Sequence, residues 1–356
     1  FVTEHPVTVA DKTYAGRTLF VSLSLLKQLH GGEADAVLAH EMAHFSGNDT
    51  LFSRRISPLL VRYENYLIAL SEGGVTMPIY YFMLCFRGLY ELSLGKLSRE
   101  REARADRLAA DTTEPRFLAG ALLRISAYST YRGAVEEELF MEQEALQQAN
   151  VSQRIEAGFP SYAVSFLKDP AMEQMQTSHP FDSHPPLNQR LTELGVPLDS
   201  AETEALLAEP GDGRWFGNIH QASELEREQW DAFEQQFQSI HEESLPYRFL
   251  PETPEEQAVV EAAFPPVSFQ GTDGTLSLDF EKMAFTGWAE PLMFPEVTTM
   301  SLDDNGKLII TRDSGPVLKL KTTKFNLDRQ EILDAINKYY GRYLAAVEFK
   351  QFSGGE

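Results

Sequence analysis

Apolar residues recur with two different periods along this chain. Up to about residue 262 they fall at helical spacing; beyond it they alternate, punctuated by Gly, Asp and Asn. Residues 33–47, EADAVLAHEMAHFSG, place Ala34, Val37, Leu38, Ala39, Met42 and Ala43 on a nearly continuous apolar face, with Gly47 as a stop. The β-branched and aromatic content of TLFVSL (18–23) predicts a short strand ahead of it. Helices are predicted over about 50–70, 78–111, 115–130, 136–150 and 152–168, with Pro115 near the start of the third. A Pro-rich stretch, 169–186, is followed by a last helix of this part, LNQRLTELG. Residues 201–262 are acidic and helical. Within them Leu225, Trp230, Phe233, Phe237 and Ile240 can share one packing stripe.

The period changes at FPPVSFQGTDG (264–274). TLSLDF, KMAFTGW, EVTTMSL, KLIITR and VLKLKT then read as strands, SLDDNGKLIITR as a hairpin, and LDRQEILDAINKYYGRYLAAV as a final amphipathic helix. The chain therefore divides into a helical part over 1–200, an acidic helical extension over 201–263 and a β module over 264–356. Short antiparallel strands followed by one helix resemble a pleckstrin-homology-like domain, by element order alone. Such modules bind lipids, peptides or other domains. Lys319, Lys321 and Lys324 could meet an anionic headgroup, although a solvated strand face explains them as well.

The candidate chemistry lies in the first helix. His40, Glu41 and His44 form H-E-x-x-H. Positions i and i+4 share a helix face, so both imidazoles can reach one atom. Two imidazoles suit Zn²⁺, which takes three protein ligands in a catalytic site. Glu41 is placed to act as a general base without ligating the metal. With 8 His in 356 residues, chance alone gives this pattern in about one or two chains per hundred, so a third ligand is required. SREREARADRLAA (98–110) offers Glu102, and Asp106 one turn on could fix the tautomer of a ligand histidine. A solvated, salt-bridged face built by Glu100, Glu102, Arg99, Arg101, Arg104 and Arg107 is the other reading of that stretch.

Together these segments resemble the HtpX-like and CAAX-prenyl-protease-type membrane zinc metallopeptidases, a gluzincin group. The carrying residues are AGRTLFVSLSLL (15–26), EADAVLAHEMAH (33–44), SREREARAD (98–106) and SHPPLNQRL (183–191). The resemblance spans residues 5 to 195. It implies an α+β protein with a mainly helical zincin-type domain, here followed by a small antiparallel β-barrel domain with a C-terminal helix. It also implies one zinc per chain on His40, His44 and Glu102, Glu41 as base and Asp106 behind the ligands. His184 and Arg190 would face the cleft and steady the substrate or its oxyanion, where a cationic or N–H donor lowers the energy of the intermediate. A structural His-Pro-Pro turn is the plain alternative for His184. His179 is a competing candidate, but the residues after it lack the second Pro and the spaced Arg. Where members often carry an Asn near the first strand, this chain reads ADKTYAG (10–16).

Composition narrows the partners. A net charge of −22 argues against nucleic-acid binding, which needs basic surface. One cysteine, Cys85, excludes an internal disulfide; it reads as a packed or lipid-side residue. VTMPIYYFMLCF (75–86) is too short for the roughly 20 apolar residues a span needs and suits an interfacial hairpin or a buried helix. Relatives carry transmembrane segments upstream, so the chain reads as a piece of a longer protein, membrane-associated at a bacterial inner membrane. The expected function is an endopeptidase acting on proteins or peptides. The alternatives are a catalytically silent protease-fold scaffold working through its C-terminal domain, against which an intact Glu41 speaks, and another metal hydrolase.

Overall fold

A computed structural model describes the chain apart from residues 1, 5, 10, 47–48, 72–75, 147, 171, 173–183, 199–200, 304 and 354–356, with backbone alone for 49–58. His179 and most of the Pro-rich stretch lie outside the described residues. The chain forms two compact units, residues 1–139 with 150–232 and residues 140–149 with 233–356. The limits at 139/140 and 232/233 fall inside helices rather than at the change in composition.

The first unit opens with four short strands. β1 (Val2–Thr3) pairs antiparallel with β4 (Thr18–Leu19), and β2 (Val7–Val9) with β3 (Lys12–Tyr14). The strand expected over 18–23 is thus only two residues long. Ser22 stops it by accepting from the Leu25 N–H at 3.3 Å, which caps helix α1 (Leu23–Gln28). Next come α2 (Gly31–Ser46), α3 (Asp49–Ser71) and α4 (Met77–Thr112). Pro78, in the first turn of α4, needs no N–H partner there. α5 (Pro115–Met141) continues past the expected end at 130, because Gly133 weakens a helix without ending it. The helix expected over 136–150 therefore survives only as the last turn of α5. α6 (Val151–Ser165), α7 (Leu187–Glu193), α8 (Ala201–Ala208) and α9 (Arg214–Gly217) complete the unit, with the first part of α10 (Ala222–Ser244).

The packing of α2 against α4 positions the site. Ala36 and Ala109 are fully buried and cluster with Leu118, so small side chains allow close approach of the backbones. α2 is anchored at its other end by a buried ion pair. Arg124 Nε lies 3.0 Å from Glu33 Oε2, and its Nη2 donates to the carbonyls of Leu206 and Glu209, each at 2.8 Å. Glu33 also accepts from the His30 N–H at 2.9 Å, satisfying one of the open donors at the start of α2.

On α10 the buried stripe differs from the expected one. Leu225 and Ile240 are exposed, while Ala222, Glu226 and His241 are buried. The two polar residues occupy inner positions because each finds a partner. Lys27 Nζ lies 2.5 Å from Glu226, and the His241 ring lies 2.8 Å from the Glu142 carbonyl.

The second unit holds α11 (Pro254–Ala263), started by a Thr253/Glu256 capping box, and seven strands. β5 (Val267–Gly271), β6 (Gly274–Leu278), β7 (Lys282–Phe285) and β8 (Leu292–Met293) form one antiparallel sheet in sequence order. β9 (Val297–Leu302), β10 (Lys307–Arg312) and β11 (Leu318–Lys321) form a second, with β10 in the middle. The strands do not pair into one closed barrel among the described residues. Pro295, in the helical turn Phe294–Glu296, interrupts the ladder between β8 and β9, although a bridge joins Gly271 to Phe325. α12 (Arg329–Ser353) sets Ile332, Ile336 and Tyr339 into the core of this unit beside Leu276, Met283 and Ile310. Arg342, buried on the same helix, donates to the carbonyls of Pro246, Phe249 and Phe280. Burial pulls its pKa down to about 10, against the opposing charge of Glu281.

Candidate active site

Three elements converge on one point. α2 supplies His40 and His44, α4 supplies Glu102 and Asp106 one turn apart, and the bend before α7 supplies His184. Of the charged run at 98–110, Glu102 and Asp106 are buried with Ala105 and Ala109 while Glu100 is exposed. The solvated-face reading therefore holds for one side of α4 only.

The donor atoms are close. His40 Nε2 and His44 Nε2 are 3.2 Å apart, His40 Nε2 lies 3.5 Å from Glu102 Oε2, and His44 Nε2 lies 3.4 Å from Glu102 Oε1. A tetrahedral zinc with bonds of about 2.0–2.1 Å spaces its ligands by about 3.3 Å, so the two nitrogens and the Glu102 carboxylate fit such an ion. Glu102 Oε2 is also buried with no hydrogen bond, although His184 Nδ1 lies 3.1 Å away. An orphaned buried carboxylate oxygen beside two imidazole nitrogens is the chemistry of a divalent-metal donor set.

The surrounding charges point the same way. Burial opposes charge on His40, yet its contacts with Asp106 and Glu102 overcome that and push its pKa up to about 9. Burial would likewise raise the Glu102 pKa, but His184 and His40 hold it well below the usual carboxylate range. Asp106 is held down against burial by His40 and Arg190. Contact with Glu102 raises His184. Carboxylates that hold a proton on an imidazole hold a cation at the same place, since proton and metal compete for one lone pair.

Asp106 Oδ1 lies 2.9 Å from His40 Nδ1, on the side of the ring away from His44 and Glu102, as a residue that orients a ligand would. Arg190 differs from the sequence expectation. It grips Asp106 with two nitrogens, Nε at 2.8 Å and Nη2 at 2.7 Å, and its side chain is nearly buried. His184 has a side chain 64% exposed, so of the two it is the one open to the cleft. Glu41 is half-buried on α2, next to His40. Sequence reasoning missed the Glu33–Arg124 pair and Gly120, where a Cβ would meet Glu33 Oε1 at 2.5 Å. Its signal was a lone Arg and a mid-helix Gly in the otherwise apolar run FLAGALLRI.

Two histidines on α2 and a glutamate on α4, with a further glutamate beside the first histidine, form a His₂Glu donor set that could hold a metal ion. Residues 12–197, just over half of the chain, match the model of peptidase family M48, and the chain belongs to that family. It is similar to a "Protease HtpX homolog 2" of Methanosarcina mazei, 34% identical over 118 residues, covering 30% of this chain and 40% of the relative. A "Protease HtpX homolog" of Fusobacterium nucleatum is 30% identical over 125 residues, covering 32% and 40%. Another, from Acaryochloris marina, is 26% identical over 208 residues, covering 53% and 63%. The chain thus spans less than two thirds of each of these relatives. No solved structure matches.

Proposed function

We propose that this chain carries the catalytic domain of a membrane-associated, zinc-dependent endopeptidase with one zinc per chain. The observation that carries the reading is the convergence of two imidazole nitrogens, 3.2 Å apart, on the Glu102 carboxylate, His40 Nε2 lying 3.5 Å from its Oε2 and His44 Nε2 3.4 Å from its Oε1. A zinc held there would polarise the scissile carbonyl and lower the pKa of water. Glu41 takes the proton from the attacking water and returns it to the leaving amine. His184, exposed beside Glu102, donates to the oxyanion as it forms. Arg190 positions Asp106, which in turn orients the His40 ring. The substrates are proteins or peptides. An extended substrate would add to β4, one edge of which is unpaired among the described residues.

Membrane association is supported by exposed apolar side chains on α3 and the first half of α4, among them Tyr66, Ile68, Ile79, Phe82, Phe86 and Leu89. Cys85 is exposed among them, which removes its core reading. No described helix is long and apolar enough to cross a membrane, so these segments would lie in the interface. We infer a pleckstrin-homology-like module from the two antiparallel sheets and α12, which supports regulation or positioning of the protease.

The test is metal content and peptide cleavage together. The wild-type protein should hold one zinc per chain, and the His40→Ala, His44→Ala double variant none. Glu41→Gln should keep the zinc and lose nearly all cleavage. Stoichiometric zinc in the double variant would sink the ligand set. Wild-type cleavage by Glu41→Gln would sink the mechanism, and an inert wild-type protein that holds zinc would favour the scaffold reading.

A further inference from the structure

The second unit carries a concentration of positive charge that the peptidase reading does not use. Four lysines, Lys307, Lys319, Lys321 and Lys324, line one concavity of about 250 Å³, with Phe285 and Phe325 as its apolar wall. The two rings meet edge to face at 6.2 Å. Lys319 and Lys321 project from the same exposed face of β11. Lys307 and Lys321 are direct cross-strand partners in the β10–β11 ladder.

Like charges placed directly opposite one another in a ladder destabilise it. None of the four ammonium groups forms an ion pair among the described residues, although Asp273 stands at the rim. The chain as a whole has 53 acidic and 31 basic residues, yet among the described residues Asp273 is the one carboxylate in this lining, against four lysines. Four lysines and one aspartate around a concavity make a local positive potential on an acidic protein.

We propose that this concavity binds the phosphate group of a phosphate monoester, either a free small molecule or a lipid headgroup. A phosphoryl group carries about −1.5 to −2 charges and three strong acceptor oxygens, enough to bridge Lys307 and Lys321 and to engage Lys319 or Lys324. The volume is below the roughly 300–1,000 Å³ of sites for drug-sized ligands, which suits one compact anion. The Phe285 and Phe325 wall faces the carbon body of the ester. Bound phosphate removes the cross-strand repulsion, so binding and stability of the second unit are linked.

The experiment uses the full chain and three proteins: wild type, Lys319→Gln with Lys321→Gln, and a control, Lys12→Gln with Lys168→Gln, of equal net charge. Thermal unfolding is followed against glycerol 3-phosphate. Vesicles of phosphatidylcholine with and without phosphatidic acid are used for co-sedimentation. Wild type and control should show a saturable rise in unfolding temperature, and the pocket variant an affinity at least tenfold weaker. Without ligand, the pocket variant should unfold at a higher temperature than wild type, because the Lys307–Lys321 repulsion is gone. If that variant does not fold, Lys324→Gln alone replaces it. Binding to phosphatidic acid vesicles without a response to the soluble ester, lost in the pocket variant, assigns the phosphate to a lipid; the reverse assigns it to a free ester. No saturable response to either probe, or an equal loss in the control, overturns the site.

Discussion

His184 and Arg190 sit six residues apart, yet they have different surroundings. Arg190 is bound to Asp106 through two nitrogens, and Asp106 faces His40 Nδ1. Replacing Arg190 by Met leaves Asp106 buried without its cation. Zinc affinity should then fall about 10–100-fold, as loss of ligand support does in other sites; chelator competition reads this directly. His184→Ala should leave zinc affinity unchanged and lower kcat about 10²–10³-fold, the usual cost of one oxyanion donor. Equal loss of metal in both variants would contradict the division. The two i, i+4 pairs were legible in the sequence because a helix fixes which residues share a face. The Arg190–Asp106 grip was not, because its partners are 84 residues apart and no local period records which acid a distant arginine will reach.

At the scale of elements, α2 carries the candidate ligands His40 and His44 towards one end and is held at the other by Glu33 and Arg124. Both partners of that pair are almost fully buried. Removing one partner strands a charge, so Arg124→Ala should destabilise the protein by about 3–5 kcal/mol, measured by urea unfolding. Gly120→Ala should also destabilise, since the added methyl meets Glu33 at 2.5 Å; a variant as stable as wild type would mean that Glu33 can move aside. The helices themselves were largely legible, because their apolar period is strong. Their ends were less so: α5 runs through Gly133, and TLFVSL gives way to a helix once Ser22 caps it. The stripe on α10 was misjudged where hydrophobicity alone was counted, because Glu226 and His241 are buried with polar partners and displace Leu225 and Ile240.

At the scale of the molecule, the composition change at 264–274 marks where strands begin, while the larger segment of the second compact unit begins earlier, within α10, and is joined by residues 140–149. Arg342 on α12 donates to carbonyls of Pro246 and Phe249, and Val260 and Phe264 lie in the same core as the strands. A fragment of residues 264–356 therefore lacks two of the three carbonyls that accept from Arg342, and Val260 from the core. It should melt well below a fragment of residues 233–356, as monitored by circular dichroism; equal melting temperatures would show that the 233–263 segment adds nothing. α4 runs unbroken from Met77 to Thr112. The same helix carries Phe86 in its exposed apolar half and Glu102 among the candidate zinc ligands, 16 residues further on. At about 1.5 Å per residue that is a rod of about 24 Å. If the apolar half rests on a bilayer, α4 is a ruler that fixes how far from the lipid a peptide bond can be cut. Inserting two further helical turns between Phe86 and Glu102 would move the cut in a tethered substrate outward by about 10 Å.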